Sequence, residues 1–595
     1  MRLAYLAALL APLCAAQTGT PVPALSALDN VMQQALSRYS VKGGSLAVVK
    51  DGRLIFARAY GWADAELRMP AQPDSLFRWA STSKTLTAAA VISLVDQGKL
   101  DLDTPIFTIL NQYSPYNGKL GDAHLAAITV RQVLHHTGGW DRMISGDPVT
   151  GDRTITAASA TRTAFPPSRD NVIRYMLAQP LEFAPGARFA YSNFGYMLLG
   201  RVIEKISGKS YEAYVRDSIL TPSGLPRIQL GGSTLAARLP GEVKYYDYPG
   251  APLVSSYVSA AREMEPAPYG FANFDLNDAD GAWVGSVIDL AKFSALLDGA
   301  RPRALVTAES FAAMIAQTPR TTWVDSVGWY GFGLFAVPQL GGITWSHGGT
   351  VPGTRAGFWH FANGICYAFL FNGDSKDQTS LTSYVAQSVW DALAAVTDLP
   401  DQDLFPQYYP PTTAPAGVVN AASFLAGPVA PASLITVFGA DLEGPVTLSL
   451  GDRTMPIFYS SPGQINSVVP AEAQTGDADL IVRREGWPDA ISPITIAPVS
   501  PALFALKYQP IVFGPAEEDA YLTLYATGVR GHRTPVTVNF GDLPVPADYA
   551  GPQLQFEGLD QINVKLPRTL AAKGDVFVTL TVDTQRTNSV LVSFP

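Results

Sequence analysis

Ser81 and Lys84 form the only Ser-x-x-Lys spacing in the chain. A serine hydroxyl is hardly ionised at neutral pH, so a nucleophilic serine needs a base beside it. Residues three apart on a helix lie on the same face, which brings the lysine amine within reach of the serine hydroxyl. Burial would favour the neutral amine that accepts the proton. The spacing predicts Ser81 as nucleophile and Lys84 as proton acceptor. For an isolated motif the alternative is a helix-capping serine and a solvated lysine.

Tyr191-Ser192-Asn193 is the only Tyr-x-Asn in the chain, and it precedes an apolar helical segment that Gly208 closes. A tyrosine beside Lys84 can accept a proton from Ser81 or pass it to a leaving group. Asn193 is expected to hold Lys84 and a substrate carbonyl. The competing interpretation is structural, with Asn193 as the N-cap of the helix and Tyr191 as a core aromatic.

A third stretch, Trp345-Ser346-His347-Gly348-Gly349-Thr350, follows a predicted strand. Glycines at a strand edge let a substrate backbone approach closely. The backbone N–H of Thr350, together with that of Ser81, is predicted to form an oxyanion hole. An ordinary Gly-Gly turn after a strand is the alternative.

These three motifs, in this order, resemble the serine β-lactamase and penicillin-binding-protein superfamily. The resemblance covers about residues 27–395 and is closest to the class C, DD-peptidase and esterase branch. Phe77-Arg78 before the serine, residues 129–139 and residues 285–291 also match that branch. It implies an α+β fold, in which an antiparallel sheet carries a helical subdomain. It also implies an acyl-enzyme mechanism and no cofactor.

One position departs from the family pattern, because many relatives carry lysine where this chain has His347. A neutral imidazole holds a substrate carboxylate less well than an ammonium group does. The sequence therefore predicts weak or no β-lactamase activity. Arg355 is the other cation nearby, and its position at a strand end indicates a solvated side chain.

The chain has 595 residues and a net charge of −9, with 16% charged and 47% hydrophobic residues. This composition disfavours a nucleic-acid partner and suits several globular domains. Residues 1–16 are predicted to be a signal peptide, because Arg2 precedes an 11-residue apolar run, Leu3 to Leu13. We expect a secreted or periplasmic protein without a transmembrane anchor, and lipidation of Cys14 is an open alternative. Cys366 is predicted to be a buried structural thiol.

We predict a hydrolase domain over residues 17–397, a proline-rich linker over 398–417, and two β-sandwiches over 418–500 and 501–595. The β-rich tail contains an internal repeat, in which Gln464-Ile465-Asn466 matches Gln561-Ile562-Asn563. The run at 461–466 resembles the signature of Ig-like domains at the C-termini of some secreted bacterial proteins. The tail is a candidate for cell-surface or cell-wall association.

No metal site is expected, because the six histidines do not form a His-Glu-x-x-His motif and the mature chain lacks a cysteine pair. His135 and His136 are adjacent on a predicted helix, which indicates one core and one surface histidine. The expected function is a serine hydrolase acting on an ester or a D-amino-acid amide, with a small molecule or peptide as substrate. The alternative is a catalytically idle binding protein that reuses the fold.

Overall fold

The structure is a computed structural model that describes residues 17–298, 305–377, 380–409, 411–442, 444–461, 463–485, 487–505 and 519–595. The predicted signal peptide and Cys14 lie outside the described residues. The chain divides into two compact units, one ending at Phe405 and one beginning at Pro406. No described helix is long and apolar enough to cross a bilayer.

The first unit contains fourteen described strands. They are β1 (Gln17–Thr18), β2 (Gly43–Lys50), β3 (Arg53–Asp64), β4 (Met69–Pro70), β5 (Phe77–Arg78), β6 (Gln229–Leu230), β7 (Val254–Ser255), β8 (Met264–Glu265), β9 (Trp283–Gly285), β10 (Trp329–Tyr330), β11 (Phe335–Gln339), β12 (Gly342–Val351), β13 (Thr354–His360) and β14 (Ile365–Phe371).

The α-helices of this unit are, in chain order within the described residues, α1 (Ser26–Tyr39), α2 (Ser83–Asp96), α3 (Ile106–Ile109), α4 (Val130–Leu134), α5 (Arg142–Ser145), α6 (Asp152–Thr161), α7 (Arg169–Met176), α8 (Asn193–Ser207), α9 (Tyr211–Val215), α10 (Ala267–Gly270), α11 (Asp278–Gly281), α12 (Val287–Leu297), α13 (Ala308–Met314) and α14 (Ser380–Ala394).

The main sheet is antiparallel and has the order β1-β3-β2-β14-β13-β12-β11-β10, with β4 on β3. Strands from both ends of the unit meet where β14 pairs with β2, which confirms the predicted α+β arrangement. The β2–β3 hairpin turns at Asp51-Gly52, and both residues have positive φ as the sequence predicts. Helices α1 and α14 cover one face of the sheet with apolar side chains. On the other side, the buried Cys366 thiol donates to Ser294 of α12.

Helix α2 follows the Ser-x-x-Lys serine and is buried on nearly all sides, as its uninterrupted apolar composition predicts. It ends at Asp96, and Gly98 follows with a φ of +66°. A helix enclosed in this way is a rigid support, so it fixes the side chains of its first turn. Helix α8 packs beside α2 and begins directly after Ser192.

Apart from short 3-10 turns, the described residues of the second unit form β-strands and the loops between them. The strands are β15 (Thr412–Asn420), β16 (Leu434–Ala440), β17 (Val446–Leu450), β18 (Arg453–Met455), β19 (Ile457–Ser461), β20 (Gln464–Val468), β21 (Gly476–Arg484), β22 (Ala490–Ile496), β23 (Ala502–Leu503), β24 (Tyr521–Thr527), β25 (Thr537–Phe540), β26 (Leu543–Pro546), β27 (Tyr549–Pro552), β28 (Asp560–Lys565), β29 (Gly574–Val582), β30 (Gln585–Arg586) and β31 (Val590–Phe594).

These strands form two pairs of antiparallel sheets. The order is β15-β16-β20-β19 over β18-β17-β21-β22 in the first pair, and β23-β24-β28-β27 over β26-β25-β29-β30, with β31 on β29, in the second. Each pair encloses its own apolar core. Two all-β domains follow the first unit in the chain, as predicted, whereas their Ig-like character stays a prediction.

The residues predicted to form a linker, 398–417, make ordered contacts. Leu54 N–H donates to Asp403 Oδ1 at 2.9 Å, and the Gln402 amide donates to Ile55 O at 2.9 Å. Strand β15 begins at Thr412 and lies at the edge of its sheet, where proline is tolerated. The boundaries at 397, 417 and 500 stay predictions.

Candidate active site

Ser81 lies in a tight turn between β5 and α2. Trp79 N–H donates to Trp283 O at 2.8 Å, and the Thr82 hydroxyl donates to Trp79 O at 2.8 Å. Between them Ala80 has a φ of +47°, a left-handed conformation that is unfavourable for alanine by about 1–2 kcal/mol. The surrounding hydrogen bonds hold this strained turn, and Ser81 is left half-buried at the wall of a cavity.

Lys84 is fully buried and has two oxygen neighbours that define its position. Its Nζ donates to the backbone oxygen of Asp280 at 2.7 Å and lies 3.3 Å from Ser81 Oγ. The predicted one-turn spacing on the helix therefore brings the amine to the hydroxyl. In this position the Lys84 amine can exchange a proton with Ser81.

The carboxyl group of Asp280 is a part of the site that the sequence reasoning missed. Its Oδ2 lies 3.8 Å from Lys84 Nζ, and the Asn277 amide donates to both carboxyl oxygens at 3.1 and 3.2 Å. Burial raises the pKa of Asp280 to about 7, although Lys84 opposes this shift. A carboxyl group with a pKa near neutral pH thus lies beside Lys84, behind Ser81.

The ring of Tyr191 packs against two cations. Lys84 Nζ lies 4.9 Å and Arg142 Cζ 4.8 Å from its centroid. The Tyr191 hydroxyl is buried and makes no hydrogen bond to the described residues. An unsatisfied buried hydroxyl costs about 1–3 kcal/mol, and such groups are concentrated at functional sites. A substrate or water is the natural partner for this hydroxyl.

Two adjacent histidines lie behind Tyr191, and neither is on the surface. Helix α4 ends at Leu134, so the predicted helical geometry for the pair is wrong. His136 is fully buried, stacks on Tyr191 with 4.2 Å between ring centroids, and accepts from Ser192 N–H at 3.1 Å. Burial lowers the pKa of His136 well below its usual value. His135 is half-buried, with Nδ1 2.9 Å from Tyr330 O.

Asn193 is not the cap of helix α8. Ser192 has that role, because its hydroxyl accepts from Gly195 N–H at 3.1 Å. The Asn193 amide instead donates to Asp147 Oδ2 at 2.6 Å, and its own Oδ1 is buried without a hydrogen-bond partner among the described residues. The expected contact of Asn193 with Lys84 is replaced by this one. The unpaired Oδ1 leaves an acceptor for a substrate N–H.

His347 lies in β12 with its imidazole buried. Its Nδ1 donates to Gly348 O at 2.7 Å, and its Nε2 accepts from the Tyr330 hydroxyl at 2.9 Å. Burial, with a smaller contribution from Lys84, lowers the pKa of His347 to about 3. The ring is therefore neutral at physiological pH, and its protein partners occupy both nitrogens.

The second half of β12 lies against the serine turn. Pairing with β11 ends at Ser346, so the strand is an edge from His347 onwards, as the sequence predicts. A Cβ at Gly349 would lie 2.2 Å from Trp79 O, whereas one at Gly348 would meet no atom closer than 4.0 Å. Gly349 is thus required by the approach of the serine turn, and Thr350 follows it into the cavity wall.

Arg355 is not the solvated residue that its position in the sequence indicates. It is fully buried, pairs with Asp374, and donates to Thr354 O at 2.6 Å and to Val351 O at 3.3 Å. The physical reason is that the turn after β12 folds back over the guanidinium group. Arg355 braces the backbone beside Thr350 and does not present its charge to the cavity.

The cavity in front of Ser81 has a volume of about 480 Å³. Of the eight predicted site residues, Ser81, Asn193 and Thr350 line it. Lys84 and Tyr191 lie directly behind the first two, and His347, Gly348 and Gly349 lie in the strand alongside. Most of the remaining lining comes from residues 142–150 and 247–281, which carry no readable motif, and the rest comes from Ala80, Val351, Pro352 and Asp374.

Charge is distributed unevenly around this cavity. Four carboxyl groups belong to the lining, whereas Arg142 is the cation among the described lining residues; the carboxyl groups are those of Asp147, Asp247, Asp280 and Asp374. Arg142 Nη1 itself lies 3.7 Å from Asp147 Oδ2. In the described parts of the chain, no cluster of three histidine, cysteine or acidic side chains is arranged to hold a metal ion.

Comparison with curated proteins identifies relatives over about a third of the chain. Esterase EstB of Burkholderia gladioli is 33% identical over 201 residues, which are 33% of this chain and 49% of the esterase. Protein flp of Staphylococcus aureus (strain COL) is 28% identical over 196 residues, which are 33% of this chain and 36% of flp. The matches thus span about half or less of these relatives.

Among solved structures, the octameric penicillin-binding protein homologue from Pyrococcus abyssi matches with 20% identity and a TM-score of 0.48. The match covers 94% of this chain and 98% of that one. A family model described as Beta-lactamase matches residues 28–389, which is more than half of the chain. This range contains all three motifs and agrees with the extent of the resemblance in the sequence. The chain belongs to the Beta-lactamase family.

Proposed function

We propose that this protein is a serine hydrolase that forms an acyl-enzyme on Ser81, with an ester or a D-amino-acid amide as substrate. The observation that carries the proposal is the buried Lys84 amine 3.3 Å from the Ser81 hydroxyl, on the wall of an open cavity. A lysine is seldom buried without a role, and this one is held against a nucleophile in a strained turn.

In the first half-reaction Lys84 takes the proton of Ser81, and Oγ attacks the substrate carbonyl carbon. The backbone N–H groups of Ser81 and Thr350 stabilise the resulting oxyanion. Tyr191 passes a proton to the leaving alcohol or amine as its bond to the carbonyl carbon breaks, and the proton that Lys84 took from Ser81 then returns to Tyr191. In the second half-reaction water attacks the acyl carbon, its proton returns through the same groups, and Ser81 Oγ leaves with a proton. Asn193 Oδ1 orients the substrate by accepting an N–H.

Small uncharged esters are the favoured substrates, and β-lactams are hydrolysed weakly or not at all. The neutral His347 and the acidic lining support this preference, because both disfavour a substrate carboxylate. Esterase EstB, which is 33% identical over part of its length, also supports a preference for esters.

We place the protein outside the cytoplasm, secreted or periplasmic, because of the signal peptide predicted over residues 1–16. The two β domains after the hydrolase domain suit attachment to a cell surface or cell wall.

The test is covalent labelling followed by a substrate panel. A fluorophosphonate probe should label the protein at Ser81, as read by peptide mass spectrometry, and Ser81→Ala should abolish labelling. The panel comprises a nitrophenyl butyrate, a D-alanyl peptide and a chromogenic cephalosporin, each assayed with wild type and Ser81→Ala. Absence of labelling and of turnover on all three would favour the catalytically idle binding protein. Labelling at another residue would refute the assignment of Ser81.

A further inference from the structure

We infer that the two β domains carry a duplicated binding face for a neutral polysaccharide, formed by matching side chains on one sheet of each domain. The first face consists of Thr436, Phe438, Tyr459, Gln464 and Asn466. The second face consists of Thr523, Tyr525, Tyr549, Gln561 and Asn563.

The two faces occupy the same positions in their sheets. In the first, Thr436 and Tyr459 flank Asn466 across three neighbouring strands, and Phe438 lies opposite Gln464. In the second domain the register is the same: Thr523 and Tyr549 flank Asn563, and Tyr525 lies opposite Gln561. Each face thus has two rows, one with an amide between a threonine and a tyrosine, the other pairing an amide with an aromatic ring.

Both faces point away from the domain cores. The strand neighbours of these residues, among them Ile435, Ile465 and Ile562, belong to the apolar clusters inside the sandwiches. Side chains alternate between the two sides of a strand, so the face residues lie on the outer side, where Thr436 itself is covered by its neighbours and is only 1% exposed. Tyr459 and Tyr549 are 51% and 40% exposed.

The hydrogen bonds within each face fix the direction of its amides. Asn466 Oδ1 accepts from the Thr436 hydroxyl at 3.1 Å and from Gln464 Nε2 at 2.7 Å. Asn563 Oδ1 accepts from the Thr523 hydroxyl at 3.0 Å and from Gln561 Nε2 at 2.9 Å. The core does not need these bonds, yet both repeats retain them.

This arrangement leaves a matched donor and acceptor on each surface. With Oδ1 engaged, the asparagine Nδ2 group offers two donors, and the neighbouring glutamine Oε1 offers an acceptor. Within the described residues, neither Asn466 Nδ2 nor Gln464 Oε1 has a hydrogen-bond partner. Adjacent hydroxyls of a sugar ring present the complementary donor and acceptor.

The aromatic rings complete the chemistry of a sugar site. A pyranose ring with equatorial substituents has a flat face of C–H groups, which packs on an aromatic face while its hydroxyls reach polar neighbours. All ten face residues are uncharged, which suits a neutral glycan and offers nothing to a polyanion. Because the amides are already oriented, little conformational freedom is lost on binding. A β-1,4-linked polysaccharide, which is a ribbon of such rings, fits two faces of this kind.

The test is cosedimentation of the full chain with three insoluble neutral polysaccharides, namely cellulose, chitin and β-1,4-mannan. Wild type should bind at least one of the three saturably. Tyr459→Ala with Tyr549→Ala, and separately Asn466→Ala with Asn563→Ala, should each weaken binding at least about tenfold, since losing both faces also removes the gain from bivalency. Changing one face alone should have a smaller effect.

Matched controls exist on the opposite sheet of the second domain. Phe577 is an exposed aromatic there, and the Asn539 amide donates to the Thr581 hydroxyl at 2.9 Å. Phe577→Ala and Asn539→Ala should bind like wild type. The exposed tyrosine pair keeps the test valid if the asparagine variants fail to fold. The inference is refuted if wild type binds none of the three polysaccharides, or if the folded tyrosine variant binds as tightly as wild type. Ester hydrolysis should be unchanged in all these variants, so this outcome is independent of the proposed catalysis.

Discussion

Lys84 Nζ donates to the backbone oxygen of Asp280 at 2.7 Å and lies 3.8 Å from the carboxyl group of the same residue. A single residue therefore both positions the proposed base and places a second titratable group beside it. This relationship has direct consequences for the pH dependence of the enzyme.

Activity on a neutral ester should rise with pH through about 7. Burial raises the pKa of Asp280 to about 7, so below this pH the carboxyl group is protonated and the pair holds one proton more. Only the carboxylate form of Asp280 can accept a proton from Lys84 and leave the amine free to take one from Ser81. Asp280→Asn removes this titrating group, so the acidic limb of kcat/KM near pH 7 should be lost or should move by at least about one pH unit. Asp275→Asn, an exposed acid on the same segment, should leave the limb in place. If the acidic limb of the kcat/KM profile stays at the same pH in Asp280→Asn, Asp280 takes no part in the proton transfer.

Lys84 and Tyr191 should behave as one proton-transfer unit. Lys84→Ala and Tyr191→Phe are each expected to reduce kcat at least about a hundredfold, and the double variant should be little worse than the poorer single variant. Tyr196→Phe is the matched control, because this ring also lies near Lys84, at 5.7 Å, but its hydroxyl donates to Leu134 O. Fully multiplicative losses, measured by steady-state kinetics, would show that Lys84 and Tyr191 act independently.

Gly348→Ala and Gly349→Ala should differ sharply although the two glycines are adjacent. A Cβ at Gly349 would lie 2.2 Å from Trp79 O and would push the serine turn away. We expect a loss of about 1–3 kcal/mol in the free energy of unfolding and a drop of more than tenfold in kcat/KM. Gly348→Ala has open space and should be close to wild type in both. Chemical denaturation and the ester assay measure both variants. If Gly348→Ala and Gly349→Ala have equal effects, contact with Trp79 does not explain why residue 349 is a glycine.

A truncated chain that ends at Phe405 should keep its ester rate, whereas one that ends at Thr397 should be less stable. Residues 402–404 hydrogen-bond to Leu54 and Ile55, and Leu404 and Phe405 are buried. Loss of two buried side chains and three hydrogen bonds is expected to cost about 3 kcal/mol or more in unfolding free energy. Denaturant unfolding of both chains measures the difference. A folded but inactive chain ending at Phe405 would show that the β domains complete the site.

The sequence predicts the parts of the site that depend on local spacing. Ser81 and Lys84 are one helical turn apart, and a buried helix must bring them together whatever the rest of the fold is. The β2–β3 hairpin follows equally from its turn residues, Asp51-Gly52.

The parts that depend on long-range packing could not be predicted. Asp280 reaches Lys84 from a segment about 200 residues away without a motif, so no spacing connects the two. The sequence indicates a strand-end cation at Arg355, but its burial depends on how the preceding turn, between β12 and β13, folds back over it. Ser192 and Asn193 are equally good N-cap residues, so the sequence alone does not show that Ser192 is the one that caps helix α8.

The final prediction is that small esters are cleaved with higher kcat/KM than a chromogenic cephalosporin. A β-lactam brings a carboxylate, and one charge-assisted hydrogen bond to it contributes about 1.5–3 kcal/mol, or roughly ten- to a hundredfold in rate. His347 cannot supply that bond, because it is neutral and its protein partners engage both nitrogens. Arg355 cannot supply it either, because it is buried against Asp374.

The cavity lining also includes acidic residues, of which Asp374 is paired with Arg355 and Asp147 lies near Arg142, so Asp247 is the acid that bears most directly on an anion. Asp247→Asn should therefore raise cephalosporin turnover relative to ester turnover, and Asp275→Asn, outside the cavity, should not. Added salt should narrow the gap between the two substrates in wild type, because it screens exposed charges. His347→Lys is a poor test, since it would bury a second ammonium group beside Lys84. Faster hydrolysis of the cephalosporin by wild type would mean that Arg142 holds the carboxylate and that the acidic lining does not set the preference.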